Sequence, residues 1–465
     1  MRWLADVVYA VAALLYLPFA LYNAFVLGKN RTGWGERFGR LPNFETASRR
    51  IWVHAVSLGE VNATPLLIKL LLEQLPGTRV VISSTTDTGY ARAVQLYGPA
   101  RVFRFPLDFS WVIHRAIAAI QPAMIVLVEL EVWPNLISEA ARRGIPVVVV
   151  NGRLTQRSAR RFGRLGQPIR KVFQNLNWVG AQDETIGARF RSLGVAPLRL
   201  EITGSVKWDT AIVADRVEGD RELQQQMGLD RSRPILVCGS TGPSEEAMLL
   251  DAYDSIIKKR GLENAPRLVL IPRKPERFDE VASLIASRGF SCVRRSAHTG
   301  NSSPATLAAD SVILGDTMGE LRVFYSLADL VFIGRSLVPM GGSDPMEAAG
   351  LGKPILSGPY TQNFEEPVRA LREAGALVVV ESPAALAAEI ERGLADPEGL
   401  KRRGLRGRDI VTANQGATRK TVQRLVLVLG ESQPAAAPFQ QVDSSLSSSV
   451  EGLHGAPVRS VQEHT

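Results

Sequence analysis

The chain has 465 residues, 45% hydrophobic and 22% charged, which excludes a collagenous or wholly disordered protein and leaves room for two or three domains. Two cysteines without a C-x-x-C pairing and five scattered histidines exclude a disulfide framework and offer no metal-ligand spacing. A formal charge of +9 favours anionic partners such as phosphorylated lipids, acidic sugars or nucleic acid, without choosing among them.

From Val7 to Leu27 the sequence is apolar for long enough to span a membrane as a helix, with Asn23 its one strongly polar side chain. Lys29, Arg31, Arg37 and Arg40 follow, so the positive-inside rule puts the bulk of the chain on the cytoplasmic side. Residues 1–30 are therefore expected to form a membrane anchor that contributes little to the folded core. A helix lying in the interface and a cleaved signal peptide are the rival readings, the latter weakened by the lack of an A-x-A site. Beyond it, β-branched runs at Ile51–Val56, Val80–Ser83, Met124–Leu130, Pro146–Asn151 and Trp178–Ala181 predict buried strands. Pro234–Gly239, Arg267–Ile271, Leu330–Gly334 and Pro354–Ser357 predict a second set. Helical stretches such as Ala63–Leu75 and Glu245–Lys259 lie between them, an alternation that predicts doubly wound parallel sheets. The pattern pauses around Trp208–Pro234. Two α/β domains facing a cleft, 31–215 and 216–430, are the GT-B architecture, and 431–465, rich in Ser, Gln, Pro and Ala, reads as a disordered tail.

In such sheets ligands bind beyond the carboxyl ends of the strands, and the motifs fall there. In WVHAVSLGEVNATPLL (52–67), Glu60 follows a strand and opens a helix, placed either to take a proton or to stabilise the helix end. VLVELEVWPNL (126–136) puts Glu129 and Glu131 at the end of an apolar strand, where buried acids are costly unless paired. The segment 151–171 carries Arg153, Arg157 and Arg161 among seven cationic residues with no acid, suited to phosphate or to an anionic lipid surface. In the second half, CGSTGPSEE (238–246) is a Gly-rich turn but no P-loop, and Pro272 and Arg273 directly follow a strand. Met318, Gly319 and Glu320 form a short glycine-bearing loop. Asp344, Pro345, Met346 and Glu347 open a helix whose N–H groups are expected to be available to a phosphate, with Glu347 placed for ribose hydroxyls.

Seven motifs occur in order: Trp34-Gly-Glu-Arg37, His54-x-x-Ser57-x-Gly-Glu60, Glu129-x-Glu131-x-Trp-Pro-Asn135, Thr203-Gly-Ser-x-Lys207, Pro272-Arg-x-Pro-Glu-Arg-Phe278, Gly315-Asp-Thr-Met-Gly-Glu-Leu321 and Gly342-x-x-Pro-x-Glu347. Together they resemble the Kdo transferases, which attach 3-deoxy-manno-octulosonic acid to lipid A precursors, from the amino end to about residue 430. The resemblance implies a GT-B fold, a CMP-Kdo donor, a phosphorylated lipid A precursor as acceptor, membrane attachment, and no nucleic acid, cofactor or metal. It makes Glu60, Glu129 and Lys207 the catalytic candidates, and Pro272, Arg273, Met318, Gly319, Glu320, Asp344, Pro345, Met346 and Glu347 the donor-binding ones. Arg153, Arg157 and Arg161 are the acceptor-binding candidates, on charge alone. Three departures concern the donor side: Gly242, Lys274 and Ser343 stand where the family commonly has histidine, and Asp344 where it has asparagine. Another GT-B nucleotide-sugar enzyme and a membrane scaffold that has lost catalysis are the alternatives.

Overall fold

The computed structural model describes residues 33–44, 49–129, 132–300 and 303–431, together with residues 6, 7, 9–11, 14, 15 and 18. The first half holds β1 (Arg49–His54), β2 (Thr78–Ser84), β3 (Val102–Arg104), β4 (Met124–Val128), β5 (Val147–Gly152), β6 (Trp178–Ala181) and β7 (Leu200–Ile202). They form one seven-stranded sheet in the order β3-β2-β1-β4-β5-β6-β7, and every pairing is parallel. Helices cover both faces of such a sheet, so its central strands must be apolar on both sides. MIVLV in β4 and VVVVNG in β5 meet that demand, buried at every position.

The second half repeats the scheme with β8 (Ile235–Thr241), β9 (Arg267–Pro272), β10 (Ser291–Arg294), β11 (Ser311–Leu314), β12 (Leu330–Ile333), β13 (Ile355–Ser357) and β14 (Leu377–Val379). The order is β10-β11-β9-β8-β12-β13-β14, again wholly parallel. In each sheet the strand order reverses beside the first strand, between β1 and β4 and between β8 and β12, which opens a crevice at their carboxyl ends.

The chain crosses between the halves twice. Residues 203–234 lead out, with Trp208 fully buried and its indole N–H donating to Glu366 at 2.8 Å. The helix Ala417–Glu431 leads back and packs Val422, Leu425, Val428 and Leu429 into the same core as Leu67, Ile68 and Leu71 of the helix Thr64–Gln74. The Asp209 carboxylate ties the two crossings by accepting from the backbone N–H of Gly416 and of Thr418, both at 2.5 Å.

Most of the apolar stretch 7–27 lies outside the described residues, as does the tail from 432. Among the described residues no helix is long and apolar enough to cross a membrane, so the expected anchor helix is not part of the fold described here. Two described residues of the amino-terminal segment, Asp6 and Tyr9, nonetheless bond to the first half. The Asp6 carboxylate accepts from the Ser110 N–H (2.8 Å), the Ser110 hydroxyl (2.5 Å) and the Asn135 amide (2.9 Å). The Tyr9 hydroxyl donates to Asp108 at 3.0 Å, and its ring meets Phe109 edge-on. Asp108 also accepts from the N–H groups of Asn135 and Leu136, capping the helix Pro134–Arg142 from a distant part of the chain. Burial pushes the Asp108 carboxyl up to about 7 against the pull of those bonds.

Candidate active site

The first sheet presents its carboxylates at the β1/β4 crevice. After β1 the chain turns at Ser57, whose hydroxyl caps the helix Leu58–Asn62 by accepting from the Glu60 N–H. The Glu60 carboxylate reaches back, accepting from the Val56 N–H at 2.8 Å and from the Ser57 hydroxyl at 2.9 Å. The arrangement resembles a capping box displaced by one residue, with Glu60 reaching the N–H before the cap, so the helix-stabilising reading of Glu60 is realised and the same bonds fix its side chain at the crevice. Directly after β4, Glu129 adopts φ 60°, a left-handed conformation that costs a non-glycine residue energy and persists where the surroundings impose it. Its Oε1 lies 3.5 Å from the Lys207 ammonium, which arrives from the outgoing crossing. Glu131 lies outside the described residues.

Asn151 holds this corner together. It too has a left-handed φ, 53°, and its side-chain oxygen accepts from the Val206 N–H (3.2 Å) and the Gln182 amide (3.0 Å). The Arg153 N–H donates to the Glu129 carbonyl at 3.3 Å. Glu129, Asn151, Arg153 and Lys207 are therefore neighbours, although they come from three stretches of sequence. Arg157 and Arg161 stand apart on the exposed helix Gln156–Gly163, whose arginines form no ion pair among the described residues. The Arg161 guanidinium lies over the Phe162 ring.

On the second sheet, two glutamates follow β8 and both are committed. Glu245 accepts from the backbone N–H of Gly242 (3.1 Å), Arg335 (2.5 Å), Ser336 (2.9 Å) and Leu337 (2.9 Å), which joins the loops after β8 and β12. Burial raises the Glu245 carboxyl while these four bonds oppose the shift. Glu246 takes two bonds from Arg277 (2.6 and 3.0 Å) and one from the Thr241 hydroxyl (2.7 Å). Arg277 thus braces the β8 turn.

Pro272 ends β9, and the Arg273 N–H donates to the Thr241 carbonyl at 3.0 Å. The Arg273 and Lys274 side chains are exposed, and Arg273 lies near enough to the buried Tyr325 hydroxyl to act on its titration. Met318 is exposed, Gly319 has φ 88°, and Glu320 pairs with Arg295 at 2.8 Å, with the Thr317 hydroxyl donating to it as well. Glu347 lies 3.5 Å from Arg322.

The stretch 344–347 differs from expectation. The helix Met346–Gly350 is five residues long, and Asp344 itself accepts from the Met346 N–H at 2.8 Å. One of the N–H groups expected to be available to a phosphate is therefore already satisfied by the chain's own carboxylate. Asp344 keeps some exposed surface, yet burial pushes its carboxyl up to about 7, with Glu347 adding to the rise and Lys207 opposing it. Lys207 of the first half thus acts on both Glu129 and Asp344, which brings the two crevices to one place. Among the described residues no group of three or more His, Cys, Asp or Glu forms a metal-binding cluster.

Sequence reading missed Asn151 and Arg335. Asn151 is the last residue but one of β5 and Arg335 lies two residues past β12, and both have left-handed φ, 53° and 60°. The available signal was a lone polar residue closing an apolar run, Asn after VVVV and Arg within VFIGRSLV.

A family model described as Glycos_transf_N, 3-Deoxy-D-manno-octulosonic-acid transferase (kdotransferase), matches residues 32–210. The 3-deoxy-D-manno-octulosonic acid transferase of Haemophilus influenzae is 34% identical over 399 residues, 84% of this chain and 90% of that protein. The enzyme of the same name from Bordetella pertussis is 34% identical over 403 residues, 85% of this chain and 91% of that protein. Among solved structures, a UDP-GlcNAc 2-epimerase from Neisseria meningitidis (TM-score 0.51, 13% identity, 81% of this chain and 100% of that one) shares the fold. So does MurG of Acinetobacter baumannii (TM-score 0.50, 14% identity, 82% of this chain and 99% of that one). With relatives this similar over nearly their whole length, the chain belongs to the 3-deoxy-D-manno-octulosonic acid (Kdo) transferase family of glycosyltransferases.

Proposed function

We propose that the protein transfers Kdo from CMP-Kdo to a phosphorylated lipid A precursor, lipid IVA, by direct displacement with inversion at the cytoplasmic face of the inner membrane. The observation that carries this reading is Lys207, 3.5 Å from Glu129 of the first half and near enough to Asp344 of the second to oppose the rise of its carboxyl, so that acids of both crevices share one cation. Glu60 takes the proton from the attacking acceptor hydroxyl, and the Val56 N–H and Ser57 hydroxyl aim its carboxylate. Lys207 and Arg273 offset the negative charge that grows on the departing phosphate, a contribution that is largest where water is excluded. Glu129 orients Lys207. Pro272, Met318, Gly319, Glu320, Pro345, Met346 and Glu347 surround the nucleotide.

Arg153, Arg157 and Arg161 attract the phosphorylated headgroup of the acceptor. Membrane attachment is supported by the apolar stretch 7–27 and by Trp34, Phe38 and Trp111, which are exposed, stack in series and lie beside Arg40 and Arg115. The test is incubation with CMP-Kdo and a tetraacylated lipid A precursor, read by mass spectrometry. A product heavier by one or more Kdo residues is expected. Consumption of neither substrate by folded protein would sink the reading.

A further inference from the structure

Arg335 leaves β12 with φ 60°, a conformation that few non-glycine residues adopt. Its backbone is held on both sides, the N–H by Glu245 at 2.5 Å and the carbonyl by the Gly342 N–H at 2.8 Å. Its guanidinium, in contrast, has almost nothing. One weak bond runs to the Met340 carbonyl at 3.4 Å, the buried Nε has no partner, and no carboxylate among the described residues pairs with it. A half-buried guanidinium is costly to leave in this state, because it is always charged and carries five donors.

The side chain runs across Gly242. A Cβ built there would lie 3.2 Å from the Arg335 Cγ and 2.8 Å from the Met340 Sδ. Position 242 is one of those where the family pattern carries a histidine and this chain does not. The two residues follow the adjacent strands β8 and β12 at the crevice, where Ile333 is paired with Gly239 and the Gly334 N–H donates to the Gly239 carbonyl at 2.8 Å. We propose that Arg335 binds an anionic group of the nucleotide-sugar donor, lying over Gly242 in the space that a side chain at 242 would otherwise take. This inference rests on the CMP-Kdo reading and adds a residue that none of the recognised motifs contains. The donor offers two such groups, the phosphate and the sugar carboxylate, and a guanidinium fork suits either.

The test uses the full-length protein and the variants Arg335→Met, which keeps the apolar stem, and Arg335→Lys, which keeps the charge. Affinities for CMP and for cytidine are measured by calorimetry, and the donor KM by initial rates. If the phosphate is the partner, Arg335→Met weakens CMP binding on the order of tenfold, as loss of one charge-assisted hydrogen bond implies. Cytidine affinity and the melting temperature then stay near wild type, and Arg335→Lys recovers part of the loss. If the sugar carboxylate is the partner, CMP affinity holds while the donor KM rises by a similar factor. A second pair of variants keeps the idea open to refutation should the methionine protein prove unstable. Gly242→His alone lowers the melting temperature through the clash, and adding Arg335→Gly restores the melting temperature but not donor binding. Arg335→Met with wild-type CMP affinity and donor KM overturns the inference alone, and so does a Gly242→His protein that behaves like wild type. Wild-type protein that binds neither CMP nor the donor overturns the donor reading beneath it.

Discussion

Glu60 and Glu245 occupy matching places in the two sheets. Each follows the first strand of its sheet, each lies in the first turn of the next helix, and both are buried, Glu60 at 9% and Glu245 at 0% exposure. Their bonding differs in kind. Glu245 accepts from four backbone N–H groups, none of which can turn away without unravelling a loop. Glu60 accepts from one backbone N–H and from the Ser57 hydroxyl, which rotates about a single bond and can turn elsewhere when a substrate hydroxyl approaches. The same residue type at the same point of the fold is thus a structural brace in one half and a candidate base in the other. Among the bonds named, the difference is that one of the Glu60 donors is a rotatable hydroxyl, whereas all four of the Glu245 donors are backbone N–H groups.

The widest gap should open with Glu60→Gln. The amide keeps the shape and one acceptor oxygen, so the fold and CMP affinity are expected to survive, while turnover falls by about a hundred- to ten-thousand-fold. Initial rates alongside calorimetry decide it, and a kcat within about threefold of wild type would end the comparison. Glu245→Ala is the mirror experiment. It strands buried N–H groups that each cost about 1–3 kcal/mol without an acceptor, so urea unfolding should show a loss of about 3 kcal/mol or more. Unchanged stability would mean that the brace is dispensable.

A smaller effect is expected at Asp344. Its carboxyl, raised from 3.8 to about 7, is neutral at lower pH and ionises as the pH passes neutrality. Because the folded value lies above the unfolded one, the associated stability is full below about pH 4 and is lost as the pH rises through about 7. If Asp344 lines the donor site as proposed, the new charge repels the phosphate, and CMP affinity should decline severalfold from about pH 6 to about pH 8. Asp344→Asn should flatten that profile and raise the melting temperature at the alkaline end. A variant with the wild-type slope would place the titration elsewhere. The smallest change is expected from Arg157→Glu with Arg161→Glu, on the exposed helix outside both crevices. The acceptor KM should rise a few-fold with the donor KM unmoved, and the effect should fade at high salt. If the donor KM moves instead, the helix belongs to the nucleotide side.

The legibility of the fold in the sequence followed burial. Central strands, apolar on both faces, stood out as β-branched runs, and Trp178–Ala181 has the predicted limits. The strands β3, β7, β10, β11 and β14 were not predicted. Each is three or four residues long, and all but β11 lie at a sheet edge, where a short strand needs no extended apolar run. The candidate site was legible where chemistry and position coincide, as at Glu60 and Glu129. It was not legible where a bond joins distant segments. Nothing in NGRL announces that Asn151 will hold the Lys207 loop, and nothing near Asp6 announces its bond to Asn135.

The two crossings of the chain also behave as a mechanical linkage. One strand of backbone between two bodies would act as a swivel, free to turn in any direction. Here the outgoing and returning strands lie side by side, stitched by Asp209 to Gly416 and Thr418 and by the Gln415 amide to the carbonyls of Trp208 (3.3 Å) and Ala211 (2.6 Å). Two connections tied in this way resist twisting more than one would, and the helix Ala417–Glu431 seats the second of them in the first half's core. Lys207, two residues from Asp209, stands beside this tied point, so its pairing with Glu129 is built on the most cross-braced part of the link between the halves.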